Sequence, residues 1–196
     1  MPSAVAPLID TVVREGLAPY LNAAGFRKRS RNFHRFVGEV VQVVNVQASP
    51  WNTDREGEFT LNLGVYFPAL AEVLNLPIPP KLPTEADCHA RERIGILLPV
   101  RRDYWWRIAP DSDLDRLGIE LRDAWLLYGA PWIERNLDLR EVREGELRQK
   151  APFRAAAVSI VLGERERAAK ELQQAIDGFP ERAEHFESWG RKHGLF

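Results

Sequence analysis

Three runs of alternating side chains between residues 32 and 67 constrain this fold more than any other feature. Residues 32–37 and 40–48 are extended, the second rich in valine, and only Gly38-Glu39 separates them. A two-residue connection between such runs forces an antiparallel hairpin. The third run, residues 58–67, puts Leu61, Leu63, Val65 and Phe67 on one side and Thr60, Asn62 and Gly64 on the other, because successive side chains of a strand point to opposite faces. A sheet with one apolar face must bury it against another layer.

The rest of the chain supplies that layer. Leu8, Ile9, Val12, Val13, Leu17 and Leu21 recur at helical spacing; Pro19 should tighten or kink the helix, and Gly25-Phe26 suits a left-handed cap with a ring packed back on the last turn. Residues 68–74 read as a short helix. The proline-rich stretch 77–83 can be neither helix nor central strand and reads as an ordered crossing loop. Residues 88–98 read as strand early and helical turn late, and 104–108 as a short aromatic strand. From Asp111 onward the pattern is helical. Leu114, Leu117, Leu121, Trp125 and Tyr128 form one stripe, with Asp111 or Ser112 as its cap and with Gly129 and Pro131 interrupting it. Further helices are expected over 131–136, 138–144, 153–162 (ended by Gly163), 164–176 and 180–193. The expected architecture is α+β: an antiparallel β-meander of four to five strands with helices packed on one face and a helical C-terminal half. It is read as a single domain over residues 1–196, residues 111–196 packing on 1–110. The last two long helices resemble the hairpin of helical repeat proteins, but one pair is not an array.

Charge and motifs then narrow the function classes. The 27 basic and 28 acidic side chains leave a formal net charge of -1, which supplies no global field for nucleic acid. The local cluster Arg27, Lys28, Arg29, Arg31 and Arg35 reads as a solvated loop and strand edge, so a nucleic-acid partner is not expected. The one cysteine, Cys88, permits no intrachain disulfide and suits a cytoplasmic setting. No leader-like N-terminus and no apolar run of membrane-spanning length is seen. Phosphate-binding glycine loops, paired CxxC and HExxH are absent, so no cofactor or metal is expected; His34, His89, His185 and His193 lie far apart along the chain. Cys88 and His89 are adjacent, so on a strand they face opposite ways, and Cys88 reads as a buried free thiol rather than a nucleophile.

A polar set on the expected strands carries the functional suggestion. Asn45 and Gln47 share a face of the second run, and Asn62 lies away from the leucines of the third. His89, Arg91 and Arg93 alternate, as do Trp105 and Arg107. Asparagine is disfavoured in strands, so Asn45 and Asn62 call for a local reason. If these faces coincide, one sheet surface presents amides, guanidinium groups and an indole, a chemistry suited to carboxylate or phosphate; otherwise the set is the watered side of an antiparallel sheet. Trp105-Trp106 should place one ring in the core and one outside, where an exposed indole can anchor a partner. Two function classes follow: a non-catalytic module binding a protein or peptide, or a small enzyme holding an anionic substrate with Arg91, Arg93 or Arg107 and moving a proton with His89 or His34. A groove centred on an exposed tryptophan favours the first; a pocket with His89 beside a carboxylate favours the second.

One further pattern is the order of several short motifs. Gly25-Phe26-Arg27-Lys28 leads into Asn32-Phe33-His34-Arg35, then Val43-Val44-Asn45-Val46-Gln47 and Leu61-Asn62-Leu63-Gly64. Cys88-His89-Ala90-Arg91-Glu92-Arg93-Ile94-Gly95 and Asp103-Tyr104-Trp105-Trp106 follow. In that order they resemble the bacterial family known as domain of unknown function 4304, over roughly the first two thirds of the chain and more loosely the helical tail. The resemblance implies a bacterial cytoplasmic protein. It implies no activity, so no catalytic residue is carried over from it.

Overall fold

The computed structural model describes residues 5–196. In chain order the elements are α1 (Val5–Val12), α2 (Ala18–Ala23), β1 (Arg27–Arg29), β2 (Asn32–Val37), β3 (Val40–Ala48), β4 (Gly57–Tyr66), α3 (Pro68–Val73), β5 (Ala90–Arg93), α4 (Ile94–Leu97), β6 (Trp106–Ile108), α5 (Leu114–Ala124), α6 (Ala130–Arg135), α7 (Leu139–Arg148), α8 (Pro152–Val161), α9 (Arg165–Gly178) and α10 (Ala183–Lys192). The chain is α+β, with an antiparallel sheet and a helical C-terminal half. Its contacts divide it into two compact units. One comprises the chain up to Tyr66 together with Lys81–Glu134, and the other comprises Phe67–Pro80 together with Arg135–Phe196.

The first unit holds the sheet. Its strands run β1-β2-β3-β4-β5, with β6 also paired to β4. β4 is the axis: β3 lies along one edge, while β5 (at residues 62–65) and β6 (at residues 57–59) share the other. The strand not anticipated from alternation is β1. Ser30, at φ 58°, turns the chain so that Arg27–Arg29 pairs back on β2. Three exposed basic side chains on an edge strand discourage pairing with another chain.

Register sorts every side chain to a face. Phe33, Val44 and Leu63 stand opposite one another on one face, and Val46 and Leu61 beside them; all are buried. Helices cover this face. A Cβ added at Gly57 of β4 would meet Val5 of α1, and Gln42 of β3 donates to the Ile133 carbonyl of α6 at 2.9 Å. Ile9, Val12, Leu17, Leu21, Phe26, Leu121 and Trp125 complete the core, with Phe26 meeting the Trp125 indole edge-on at 5.6 Å.

Two helical prolines depart from expectation: the turn before Pro19 is widened rather than tightened, and Pro131 does not interrupt its helix. Each follows a π turn, Val13–Leu17 before Ala18-Pro19 and Trp125–Gly129 before Ala130-Pro131. The Ala18 N–H reaches the Val13 carbonyl and the Ala130 N–H the Trp125 carbonyl, five residues back. A proline ring clashes with the carbonyl four residues before it and donates nothing; widening the preceding turn relieves both problems while the chain remains helical. The cap of α5 also differs from expectation. It is Asp113, whose carboxylate accepts from the Arg116 N–H at 3.0 Å, while the Ser112 hydroxyl accepts from the Ala109 N–H at 2.8 Å. Where the first π turn passes α5, Gly16 lies against Gly118 so closely that a Cβ on Gly16 would stand 2.4 Å from the Gly118 Cα.

The second unit is helical. α8 and α9 form a hairpin through Gly163, at φ 75°. Phe153 of α8 stacks on Phe186 of α10 at 4.7 Å, and the Trp189 indole donates to the Val73 carbonyl of α3 at 3.0 Å. A charged network crosses its interior. The Arg143 side chain, 4% exposed, bonds Glu164 and approaches Glu171, which accepts from the Ser159 hydroxyl at 2.6 Å and from Arg167 at 3.0 Å.

Candidate functional site

The second face of the sheet gathers the polar residues singled out above. Cross-strand register places Asn32, Asn45, Asn62 and Arg93 in one row across β2, β3, β4 and β5. Their side chains are joined. Asn45 donates to Asn32 at 2.8 Å, Asn62 donates to Asn45 at 3.1 Å and to Gln47 at 2.8 Å, and Arg93 donates to the Asn62 carbonyl oxygen at 3.1 Å. Asn62 is 5% exposed. Its strand position, disfavoured by propensity, is explained by these bonds: each amide presents donor and acceptor to neighbours about 5 Å apart.

The row ends on a carboxylate and an indole. Arg93 meets both Asp103 carboxylate oxygens at 2.9 Å, reaches Gln47 at 3.3 Å and lies over the Trp105 ring at 5.2 Å, while the Trp105 N–H donates to Asp103 at 3.0 Å. Burial pushes the Asp103 carboxyl up, but the hydrogen bonds from Trp105 and Arg93 outweigh it and hold the group below its ordinary range. The tandem tryptophans separate as alternation requires. Trp106 is 2% exposed and stacks on Phe59, whereas Trp105 stands half-buried on the polar face.

Further along the same face the chain segment 81–88 lies over the strands. The His34 ring nitrogen Nε2 is 2.9 Å from the Pro83 carbonyl, and a Cβ on Gly64 would stand 2.5 Å from the Cys88 Sγ. Arg91 reaches over to Glu85 at 2.7 Å. His89 is buried, its ring 5.2 Å from that of Tyr66. Burial, and then the negative charges of Glu85 and Asp87, push the Cys88 thiol well above its ordinary value. A thiol so held is protonated at neutral pH and is a poor nucleophile. Of the three guanidinium groups read as anion holders, Arg91 and Arg93 are therefore engaged by carboxylates, and both candidate proton movers are buried.

At the other end of this face the surface is concave. A cleft of about 500 Å³ is lined by Ser49, Trp51, Asn52, Glu58, Arg107 and Ser112, among others. Arg107 stands opposite Glu58 in the β4–β6 register and has no hydrogen-bond or ion-pair partner among the described residues. Trp51 is 86% exposed. The loop that carries it is nonetheless tightly fixed. The Asn52 side chain accepts from the Glu58 N–H at 2.8 Å and donates to the Glu58 carbonyl at 3.1 Å, which extends strand pairing through an amide. The Ser49 hydroxyl accepts from the Trp51 N–H at 3.3 Å, and the Thr53 hydroxyl caps the next turn. From the sequence, residues 49–52 read only as the start of a polar loop. The available signal is a tryptophan between Pro50 and Asn52 with no apolar neighbour at strand spacing.

Among the described residues no group of three or more His, Cys, Asp or Glu side chains could hold a metal ion, and no helix is long and apolar enough to cross a membrane. A family model described as "Domain of unknown function (DUF4304)" matches residues 17–135. That span covers the sheet and the helices α5 and α6. No curated protein and no solved structure matches the chain.

Proposed function

Because the chain belongs to the DUF4304 family, which carries no assigned activity, its own geometry must supply the reading, and we propose that it is a non-catalytic module whose cleft beside Trp51 binds a peptide segment of a protein partner. The observation that carries this reading is Trp51, 86% exposed on a loop braced by Asn52 and Ser49. Burying an exposed indole on binding gains a large area, and such residues dominate binding energy at interfaces. The bracing matters as much as the ring, since a loop already ordered loses little conformational entropy on association.

An enzyme acting on an anion fits less well. Its proposed holders Arg91 and Arg93 are paired with Glu85 and Asp103, and His34 and His89 are buried. Arg107 is different, because its donors are uncommitted at the cleft wall, where they can meet main-chain carbonyls of a bound segment.

Selection of a displayed random dodecapeptide library against the purified chain tests the proposal. Enriched peptides should bind the wild type and lose about tenfold or more in affinity to Trp51→Ala, the scale of a hot-spot indole. The variant should keep the wild-type melting temperature, since an exposed ring contributes little to folding. A selection that enriches nothing, or peptides that bind Trp51→Ala as well as wild type, overturns it.

A further inference from the structure

We infer that the residue recognised in this cleft is basic: a lysine or arginine side chain of the partner laid over the Trp51 ring, with Glu56 and Glu58 as its counter-charges. The inference rests on the peptide-binding reading and specifies the chemistry of what is bound. Three observations carry it.

First, this chain repeatedly covers aromatic faces with its own cations. Lys28 lies 5.8 Å from the Phe33 centroid, Arg35 5.1 Å from Phe26, Arg93 5.2 Å from Trp105, Arg122 6.0 Å from Tyr20 and Arg182 4.9 Å from Phe186. Trp51 is far more exposed than these and has no such partner among the described residues. Indole is the aromatic group that attracts a cation most strongly.

Second, the cleft supplies charge of the right sign. Glu56 and Glu58 line it, and neither has an ion-pair partner among the described residues. Two carboxylates against the single guanidinium of Arg107 leave one net negative charge in the lining. An acidic segment would bring its carboxylate against both glutamates, whereas a basic one finds two counter-charges and a π face.

Third, the backbone that carries the two glutamates is fixed in place. Glu58 is held at both its N–H and its carbonyl by Asn52, and Gly57 between the two glutamates packs too tightly against Asn52 and Val5 to admit a side chain. The backbone that presents the negative charges is thus the same braced loop that presents the indole.

The test uses three labelled decapeptides identical except for two central residues: arginine, its neutral isostere citrulline, or glutamate. They are titrated into the full chain labelled with ¹⁵N, reading the indole N–H signal of Trp51, assigned by Trp51→Phe. The arginine peptide should shift that signal saturably, and the citrulline peptide should bind at least about tenfold more weakly. The Glu56→Gln/Glu58→Gln variant should lose the preference for arginine over citrulline while its other signals keep their wild-type positions. Citrulline or glutamate peptides binding as tightly as arginine, or a double variant that retains the preference, overturns the inference. So does a Trp51 signal that no peptide moves. Peptide binding without preference for arginine leaves the module reading standing, and the library selection judges that reading separately.

Discussion

The contact between Gly16 and Gly118 makes an asymmetric prediction. A Cβ on Gly16 would stand 2.4 Å from the Gly118 Cα, 2.6 Å from its carbonyl oxygen and 2.8 Å from its carbonyl carbon. All three are backbone atoms, so no side chain can swing aside, and the two segments must separate by about 1 Å to restore ordinary contact. Forcing such a shift in a packed interior costs about 3 kcal/mol, the upper part of the usual range. Alanine recovers up to about 1 kcal/mol over glycine through helix propensity. Gly16→Ala should therefore lose about 2 kcal/mol, or about 4–8 °C in melting temperature for a chain of this size. The reverse substitution is mild, because a Cβ on Gly118 meets only the Gly16 Cα at 3.3 Å and its nitrogen at 3.7 Å. Gly118→Ala should be neutral, or stabilising by about 0.5–1 kcal/mol. Urea denaturation followed by tryptophan fluorescence measures both. Equal losses in the two variants, or a Gly16→Ala midpoint indistinguishable from wild type, would refute the packing account.

Two other outcomes follow from buried charge and burial of the thiol. Removing Arg143 takes the central cation from Glu164 and Glu171, although Glu171 keeps Arg167 at 3.0 Å, and Arg143→Ala should cost about 2–3 kcal/mol in urea denaturation, more than an exposed arginine. The folded-state pKa of Cys88 is raised above its ordinary value of 9.0, so the folded chain keeps a proton that the unfolded chain releases. The stability this contributes is complete below about pH 9 and is lost as pH rises further. Cys88→Ala should flatten that alkaline decline, measured by denaturation midpoints between neutral pH and pH 10, and an aromatic disulfide reagent should label wild-type Cys88 at pH 8 only as fast as the chain unfolds.

Much of the sheet was legible because alternation is a strong signal wherever one face is buried. β2 and β3 have the bounds their residue pattern predicts, and β4 is displaced by a single residue. The polar row was legible for the same reason: Asn45, Asn62 and Arg93 share a face once 90–93 is extended. Other features depended on information the pattern does not contain. Arg27–Arg29 lacks any apolar alternation, and its pairing is set by a positive φ at Ser30. Pro19 and Pro131 are helix breakers by local rule, and only the backbone's freedom to widen a turn keeps both segments helical. The engagement of Arg91 and Arg93 by Glu85 and Asp103 was hidden because those carboxylates come from segments outside the strands. Trp51 gives no sequence signal because in isolation a loop tryptophan carries no periodicity, and its exposure is a tertiary property.

The hydrogen-bonded amides have a consequence for how the strands find their places. The valines of β3 recur so regularly that sliding β3 by two residues along β2 or β4 would still point Val44 and Val46 inward and would cost the core little. That slide would set Asn45 beside Val43's or Gln47's present neighbours and strand the buried Asn62 amide and the half-buried amides of Asn32 and Asn45 without their partners. The side chains that look like an invitation to a ligand thus also make the correct alignment distinguishable from its near copies, and a chain with leucines in their place would fold more greasily and less uniquely.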